Sequence, residues 1–280
     1  MNLFQAIILG IVEGLTEFLP VSSTGHQTIV AGLMGLQIDD PSITSFIAVI
    51  QVGAILALCI YLRKDIARLF MAWIRGLFTP ANRRDPSYRE AWMVIIGSLP
   101  IAVVGVVGRD LIKGPLRSLW VVAIALIVWG FVMLIAEAVA KQDRHEKDLN
   151  LKDALIIGGT QALALIPGIS RSGATISAGL ILGLDRVTAA RYGFLLGIPA
   201  LAGAAVLEVP DAISTGGVGL WLTLVGTAVS FVVAYLTVAW MLAFVARHTI
   251  RVFVWYRWGL AAVLIIALTT GFVTATGVRT

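Results

Sequence analysis

The sequence predicts an all-α polytopic membrane protein, with six transmembrane helices and two re-entrant helix pairs in an inverted repeat. Three observations carry that prediction. Of 280 residues, 59% are hydrophobic and 13% charged, about half the charged share of a soluble domain, so most of the surface faces lipid. Six apolar runs reach the roughly 17 to 25 residues that a membrane crossing needs. One proline-serine-glycine cassette occurs twice, 147 positions apart.

The elements follow in order. Apolar helical stretches at about 3–18 and 26–36 are too short or too polar to cross comfortably, and the first cassette breaks them (Pro20 to Leu33, PVSSTGHQTIVAGL). Spans are expected at about 46–62, 91–108 and 118–139. Two more short stretches, about 154–166 and 172–184, flank the second cassette (Pro167 to Leu180, PGISRSGATISAGL). Spans at about 192–208, 218–244 and 255–275 complete the chain. The copies share seven of fourteen positions, Ser23 aligning with Ser170. Half-helices broken by Pro and Gly read as re-entrant pairs, since irregular backbone at membrane depth survives only where protein buries it or water reaches it. Three spans, an odd number, separate the cassettes, so they enter from opposite faces and their tips can meet near the midplane. The expected organisation is a single integral-membrane domain, 1–280: repeat one about 1–139, an inverted repeat two about 151–280, and a charged loop about 140–153 between them.

Lys and Arg set the orientation. The loop after the first span holds Arg63, Lys64, Arg68, Arg75, Arg83, Arg84 and Arg89; that after the third holds Lys141, Arg144, Lys147 and Lys152; that after the fifth holds Arg247, Arg251 and, at the next span's edge, Arg257. The opposite side has only Arg109, Lys113, Arg117 and Arg279, and the loop around Glu208 and Asp211 has none. The rich loops are therefore expected in the cytoplasm and the first cassette outside. The same loops account for the net charge of +5, and no nucleic-acid patch, nucleotide loop or zinc motif is present. Cys59 is the single cysteine and reads as a small hydrophobe. No cleavable signal peptide is expected, since Glu13 and Glu17 interrupt the N-terminal apolar stretch. Trp92, Trp120, Trp255 and Tyr256 read as an aromatic belt, Glu137 as interfacial, and Arg186 and Arg191 as anchors or lipid-phosphate contacts.

Glu13 and Glu17 sit four apart on one helix face. Carboxylates at membrane depth are costly, so the pair points to a divalent cation or to acid-base work. Ser22, Ser23, Thr24, Gly25 and His26 follow a proline at a helix start, where free N–H groups favour phosphate. A serine and a histidine three apart can be nucleophile and base, or the histidine can be structural. Arg171, with Ser170, Ser172 and Thr175, needs an anion: a phosphate, which suits its planar fork, or one of the two glutamates. Gln51, in an apolar span, either lines the site or hydrogen-bonds across helices.

EGLTEFLPVSSTGH (Glu13 to His26) and PGISRSGAT (Pro167 to Thr175) resemble the two signature motifs of the bacterial undecaprenyl-diphosphate phosphatase (bacitracin-resistance) family. VIQVGAILA (Val49 to Ala57) and FLLGIPA (Phe194 to Ala200) extend the resemblance along the chain. The resemblance implies hydrolysis of undecaprenyl diphosphate to the monophosphate carrier of cell-wall synthesis, with Mg²⁺ or Ca²⁺. Carried over, Glu13 and Glu17 hold metal or activate the attack, Ser23 or His26 is the nucleophile, and Arg171, Ser170 and Thr175 bind the diphosphate. Ser22, Thr24, Ser172 and Gln51 complete the expected substrate site. Its partners are then a polyprenyl diphosphate lipid, membrane lipids and no nucleic acid, with a homodimer left open. Its place is the bacterial inner membrane, multi-pass, with the site opening to the periplasm. A polyprenyl-phosphate flippase or transporter, which shares the inverted-repeat architecture, is the competing reading. Membrane phosphatases that use two histidines fit less well: Ser170-Arg171 has no suitably spaced His, and His145 and His248 fall in predicted cytoplasmic loops.

Overall fold

The computed structural model describes residues 1–37, 40–108, 111, 116, 118–214, 217–275 and 277–278. Arg109, Lys113, Arg117 and Arg279 lie outside the described residues, as do the side chains of Glu208 and Asp211. The chain is helical: α1 (Leu3–Thr16), α2 (Ser23–Leu33), α3 (Pro41–Tyr61), α4 (Arg63–Phe78), α5 (Pro86–Val107), α6 (Leu119–Val139), α7 (Leu151–Leu163), α8 (Arg171–Ile181), α9 (Arg186–Ser214), α10 (Leu220–Val245) and α11 (Arg251–Thr269). A two-residue β-ladder, Val273–Thr274 with Gly277–Val278, follows α11.

Local chemistry explains the starts. Asn2 and Gln5 form a reciprocal capping box on α1, as Asn150 and Asp153 do on α7, satisfying N–H groups the helix cannot. Asp40 and Asp85 cap α3 and α5 ahead of a first-turn proline, where a missing N–H costs nothing.

Among the described residues six helices are long and apolar enough to cross a membrane: α3, α5, α6, α10, α11 and the Arg186–Val206 part of α9, with mean hydropathy from 1.4 to 2.8. These are the six expected spans; α3, α5 and α9 start five or six residues earlier than expected, behind Asp40, Asp85 and Asp185. α1, α2, α7 and α8 are the four short stretches. α1 packs on α2 and α7 on α8, with a break at each cassette. The start of α1 meets the end of α2, where the Gln5 amide donates to the Met34 carbonyl at 3.1 Å.

Packing pairs the short helices with distant spans. α1 lies along α10 and α7 along α5; α3 packs on α9 and α6 on α11. The first two contacts are backbone-close: a Cβ at Gly14 would meet the Ser230 carbonyl, and one at Gly158 the Gly97 carbonyl. Small residues permit such approach where lipid offers no hydrophobic drive.

At one end, polar contacts tie the connecting segments together. Arg144 grips Asp153 with two bonds (3.0 and 2.6 Å) and the Leu182 carbonyl at 2.8 Å. Arg68 joins Glu90 and Glu146 at 2.9 and 2.8 Å. Arg186 pairs with Glu137, whose Oε1 also takes the Ile250 N–H at 2.8 Å, and Arg191 pairs with Asp65.

Three expectations change here. The segment after the first span is not an open loop: α4 is amphipathic, burying Asp65, Leu69, Ala72 and Gly76 while exposing Phe70, Met71 and Phe78. Arg186, Arg191 and Glu137 are ion-paired within the protein rather than turned to lipid. Arg257, counted above with the loop charges, is completely buried.

Candidate active site

The two cassettes meet. In the first, the chain leaves α1 at Glu17 and re-enters helix at Ser23; in the second it leaves α7 and re-enters at Arg171. Ser22 and Ser170 occupy the same unusual backbone region, with φ of 75° and 76°. Each caps its helix by accepting from a glycine N–H three residues on, Gly25 at 3.4 Å and Gly173 at 3.3 Å. L-residues adopt positive φ only where the surroundings over-determine it, and such strain gathers at functional sites. The register differs by one from the sequence alignment: the counterpart of Ser170 is Ser22, not Ser23. Ser23 and Arg171 are thus equivalent first residues of α2 and α8.

Both reach Glu17. Ser23 Oγ donates to Glu17 Oε2 at 2.6 Å, and Arg171 Nη2 donates to Oε1 at 3.2 Å. Glu17 is 5% exposed. Room for the guanidinium comes from α9: Arg171 Nη1 lies 3.5 Å from the Gly193 carbonyl, and a methyl built at Gly197 would fall inside the guanidinium. Glu13, one turn back, is 2% exposed. Its Oε2 accepts from Gln27 Nε2 at 3.1 Å, and its Oε1 has no protein partner.

These groups head a cavity of about 920 Å³. Its polar end holds Glu13, Glu17, Ser22, Ser23, Thr24, Gln27, Ser170 and Arg171, and Gln51 also lines the cavity. The remaining walls are mostly apolar, among them Ile47, Ile95, Leu99, Val106, Leu165 and Leu201, with Thr28, Thr44, Ser45 and Ser98 between them. Both helix N-termini open on the polar end, where free N–H groups and the dipole favour anions.

Other expected residues lie behind the cavity. The His26 ring sets Nδ1 2.7 Å from the Ser22 carbonyl, so Nδ1 donates, and Nε2 lies 2.7 Å from the Tyr256 hydroxyl. That ring is not among the groups lining the cavity, and Tyr256, expected in the aromatic belt, is its partner. Ser172 donates to the Leu19 carbonyl at 2.9 Å and Thr175 to the Arg171 carbonyl at 3.1 Å. Both are fully buried; Ser172 holds one cassette against the other, while Thr175 bonds back within its own helix.

Two residues escaped the sequence reading. Gln27 sits four after Ser23, on the same helix face, and that spacing within the cassette was its only signal. Arg257 gave none. Its guanidinium donates to the Pro20 carbonyl at 3.1 Å, Gly168 at 2.7 Å, and Ala125 and Leu126 at 3.3 Å. It therefore ties both loop tips to α6.

The donor set suits a hard cation. Two buried oxygens, Glu13 Oε1 and Gln27 Oε1, lack partners on residues lining the cavity. Among the described residues no three His, Cys, Asp or Glu side chains converge on one point. Few protein ligands, completed by water and phosphate, is the usual way Mg²⁺ is held.

Comparison with known proteins agrees along the whole chain. The family model described as Bacitracin resistance protein BacA matches residues 6–263. Undecaprenyl-diphosphatase 3 of Frankia casuarinae is 55% identical over 279 residues, covering 99% of this chain and 100% of the relative. Undecaprenyl-diphosphatase 1 of Streptomyces coelicolor is 53% identical over 272 residues, 97% and 98% of the two chains, and Undecaprenyl-diphosphatase of Acidothermus cellulolyticus 51% over 275, 98% and 100%. A match of this extent makes this chain a member of the bacitracin resistance protein BacA family.

Proposed function

We propose that this protein is a membrane diphosphatase that hydrolyses undecaprenyl diphosphate to undecaprenyl phosphate and inorganic phosphate. One observation carries the reading: Glu17 is held between the Ser23 hydroxyl and the Arg171 guanidinium at the polar head of a mostly apolar cavity. The diphosphate lies against the N-termini of α2 and α8 and the polyprenyl chain along the apolar walls.

Ser23 is the nucleophile. Its Oγ attacks the terminal phosphorus as its proton passes to Glu17. The bond from that phosphorus to the bridging oxygen breaks, and undecaprenyl phosphate leaves. Glu17 passes that proton to the departing undecaprenyl phosphate, takes another from the attacking water, and returns it to the seryl oxygen as the serine leaves and phosphate is released. Arg171 balances the charge on the transferring group. His26 secures Ser22 and the turn before Ser23. A divalent cation, when bound, would neutralise phosphate charge; of the two glutamates expected to hold it, Glu13 is the one with an oxygen free of protein partners.

The membrane arrangement proposed is that of the inverted repeat. Exchange of α1 with α7 and α10 with α5 interchanges two observed packing pairs. Arg144 touches both the start of α7, at Asp153, and the end of α8, at Leu182, which supports a pair that enters and leaves on one face. With Arg257 removed, the basic loops still gather with those contacts, which favours that face as cytoplasmic and a site open to the periplasm of the inner membrane.

Phosphate release from a polyprenyl diphosphate by purified protein in detergent tests the activity. There is only one compartment, so turnover separates enzyme from flippase. Full activity in Glu17→Gln or Arg171→Ala would remove the site assignment.

A further inference from the structure

Both oxygens of Glu17 already have a protein partner. One is occupied by Arg171 and the other by Ser23. Glu13 is in the opposite state: buried, hydrogen-bonded only through Oε2, with Oε1 unpartnered. Gln27 matches it. Its amide nitrogen donates to two acceptors, the Leu9 carbonyl at 3.0 Å and Glu13 Oε2 at 3.1 Å. The Leu9 carbonyl cannot donate, so it holds the amide nitrogen in place and turns the amide oxygen away. That oxygen is buried and without a partner. Both residues are 2% exposed and line the cavity. An unsatisfied buried acceptor costs roughly 1–3 kcal/mol, more when charged. Two of them, on groups joined by one hydrogen bond, describe a receptor for something electropositive. Hard oxygens select a hard cation.

We propose that Gln27 is a cation ligand: its amide oxygen and Glu13 Oε1 are the protein's two contacts to one divalent ion of the Mg²⁺ or Ca²⁺ class, and Glu17 is not a ligand. The duties of the two glutamates thereby separate. Arg171 neutralises Glu17 and Ser23 holds it as proton acceptor, while Glu13, fixed by the Gln27 amide group, presents charge to the ion. The ion is completed by water and, on the diphosphatase reading above, by phosphate oxygens of the substrate.

The test is Mn²⁺ binding to the full-length protein in detergent, read from loss of the free-ion EPR signal and by competition with Mg²⁺ and Ca²⁺. Wild type is expected to bind one Mn²⁺ per chain. Gln27→Met and Glu13→Gln should each weaken binding about tenfold or more, the usual cost of disturbing a metal's ligand shell. Glu17→Gln should change it less than about threefold. Gln27→Glu, which keeps an oxygen and adds charge, should bind at least as tightly as wild type, and it decides the matter if Gln27→Met does not fold. Unchanged affinity in Gln27→Met, or a tenfold loss in Gln27→Glu or Glu17→Gln, overturns the assignment. The two readings fail separately. Wild type that releases phosphate without binding Mn²⁺ loses the cation site and keeps the activity; wild type that binds Mn²⁺ without turnover does the reverse.

Discussion

Gly197→Ala is the sharpest perturbation the structure offers, because it should strengthen a helix and still disable the site. Gly197 lies within α9, and alanine there is intrinsically better by roughly 0.5–1 kcal/mol. The added methyl, however, would overlap Arg171 Nη1 and sit 3.0 Å from Nη2. Ordinary carbon contacts need about 3.5–4 Å, so the guanidinium must retreat by about 2 Å. Its 3.2 Å bond to Glu17 is already long, and a retreat of that size takes it beyond hydrogen-bonding reach. A bond to a charged group is worth roughly 1.5–3 kcal/mol, and each 1.36 kcal/mol is tenfold in rate. The expected loss in kcat/KM is therefore about 10- to 150-fold. The assay is phosphate release in detergent, with a melting curve on the same preparation. Gly203→Ala, on the same helix and the same cavity but with nothing within 4 Å of its Cβ, is the comparison and should stay within about twofold. Wild-type kcat/KM in Gly197→Ala would refute the cradle and the place of Arg171 in the chemistry.

Ser23→Ala should lower kcat by about a thousandfold or more, the order seen when a nucleophile is deleted, and abolish any trapped phosphoenzyme, while His26→Ala, tested alongside, should retain the phosphoenzyme. Arg257→Met strips four carbonyls of a shared cationic donor; the lost bonds, offset by the relieved burial of a charge, should lower stability by about 2–4 kcal/mol, read as a drop in melting temperature in detergent, and Arg257→Lys should not restore it. For Asp185, partial burial pushes the carboxyl up, but bonds from Thr188 and His145 hold it below the ordinary 3.8. Its contribution is thus complete above about pH 4 and lost as pH falls through the folded value, so the melting-temperature gap between wild type and Asp185→Asn should be widest at neutral pH and close in acid. A constant gap would discount the bonds.

Most of the fold was legible because lipid simplifies the code. A crossing must be long, apolar and internally hydrogen-bonded, so composition and run length alone marked α3, α5, α6, α9, α10 and α11. Their ends were less legible. Asp40-Pro41 and Asp85-Pro86 extend helices into polar sequence that a hydropathy reading discards. α4 was missed for the same reason, since its apolar residues are interleaved with Arg and Lys and only its periodicity distinguishes it from a charged loop. The candidate site was legible as chemistry, two acids, hydroxyls and an arginine where oil was expected, but not as geometry.

The sequence by itself determined that the chain lives in a membrane, that it carries two related polar loops, and that these hold acids and a hydroxyl in one copy and an arginine in the other. Those facts follow from which residue types lipid tolerates. Tertiary structure decided the rest, because distance between remote segments is not written in either of them. It moved the cassette register by one residue, setting Ser23 rather than Thr24 opposite Arg171 across Glu17. It turned His26 towards Tyr256 and brought in Gln27. It also drew Arg257 from the edge of a basic loop into the core, where backbone carbonyls from three separate parts of the chain converge on its guanidinium.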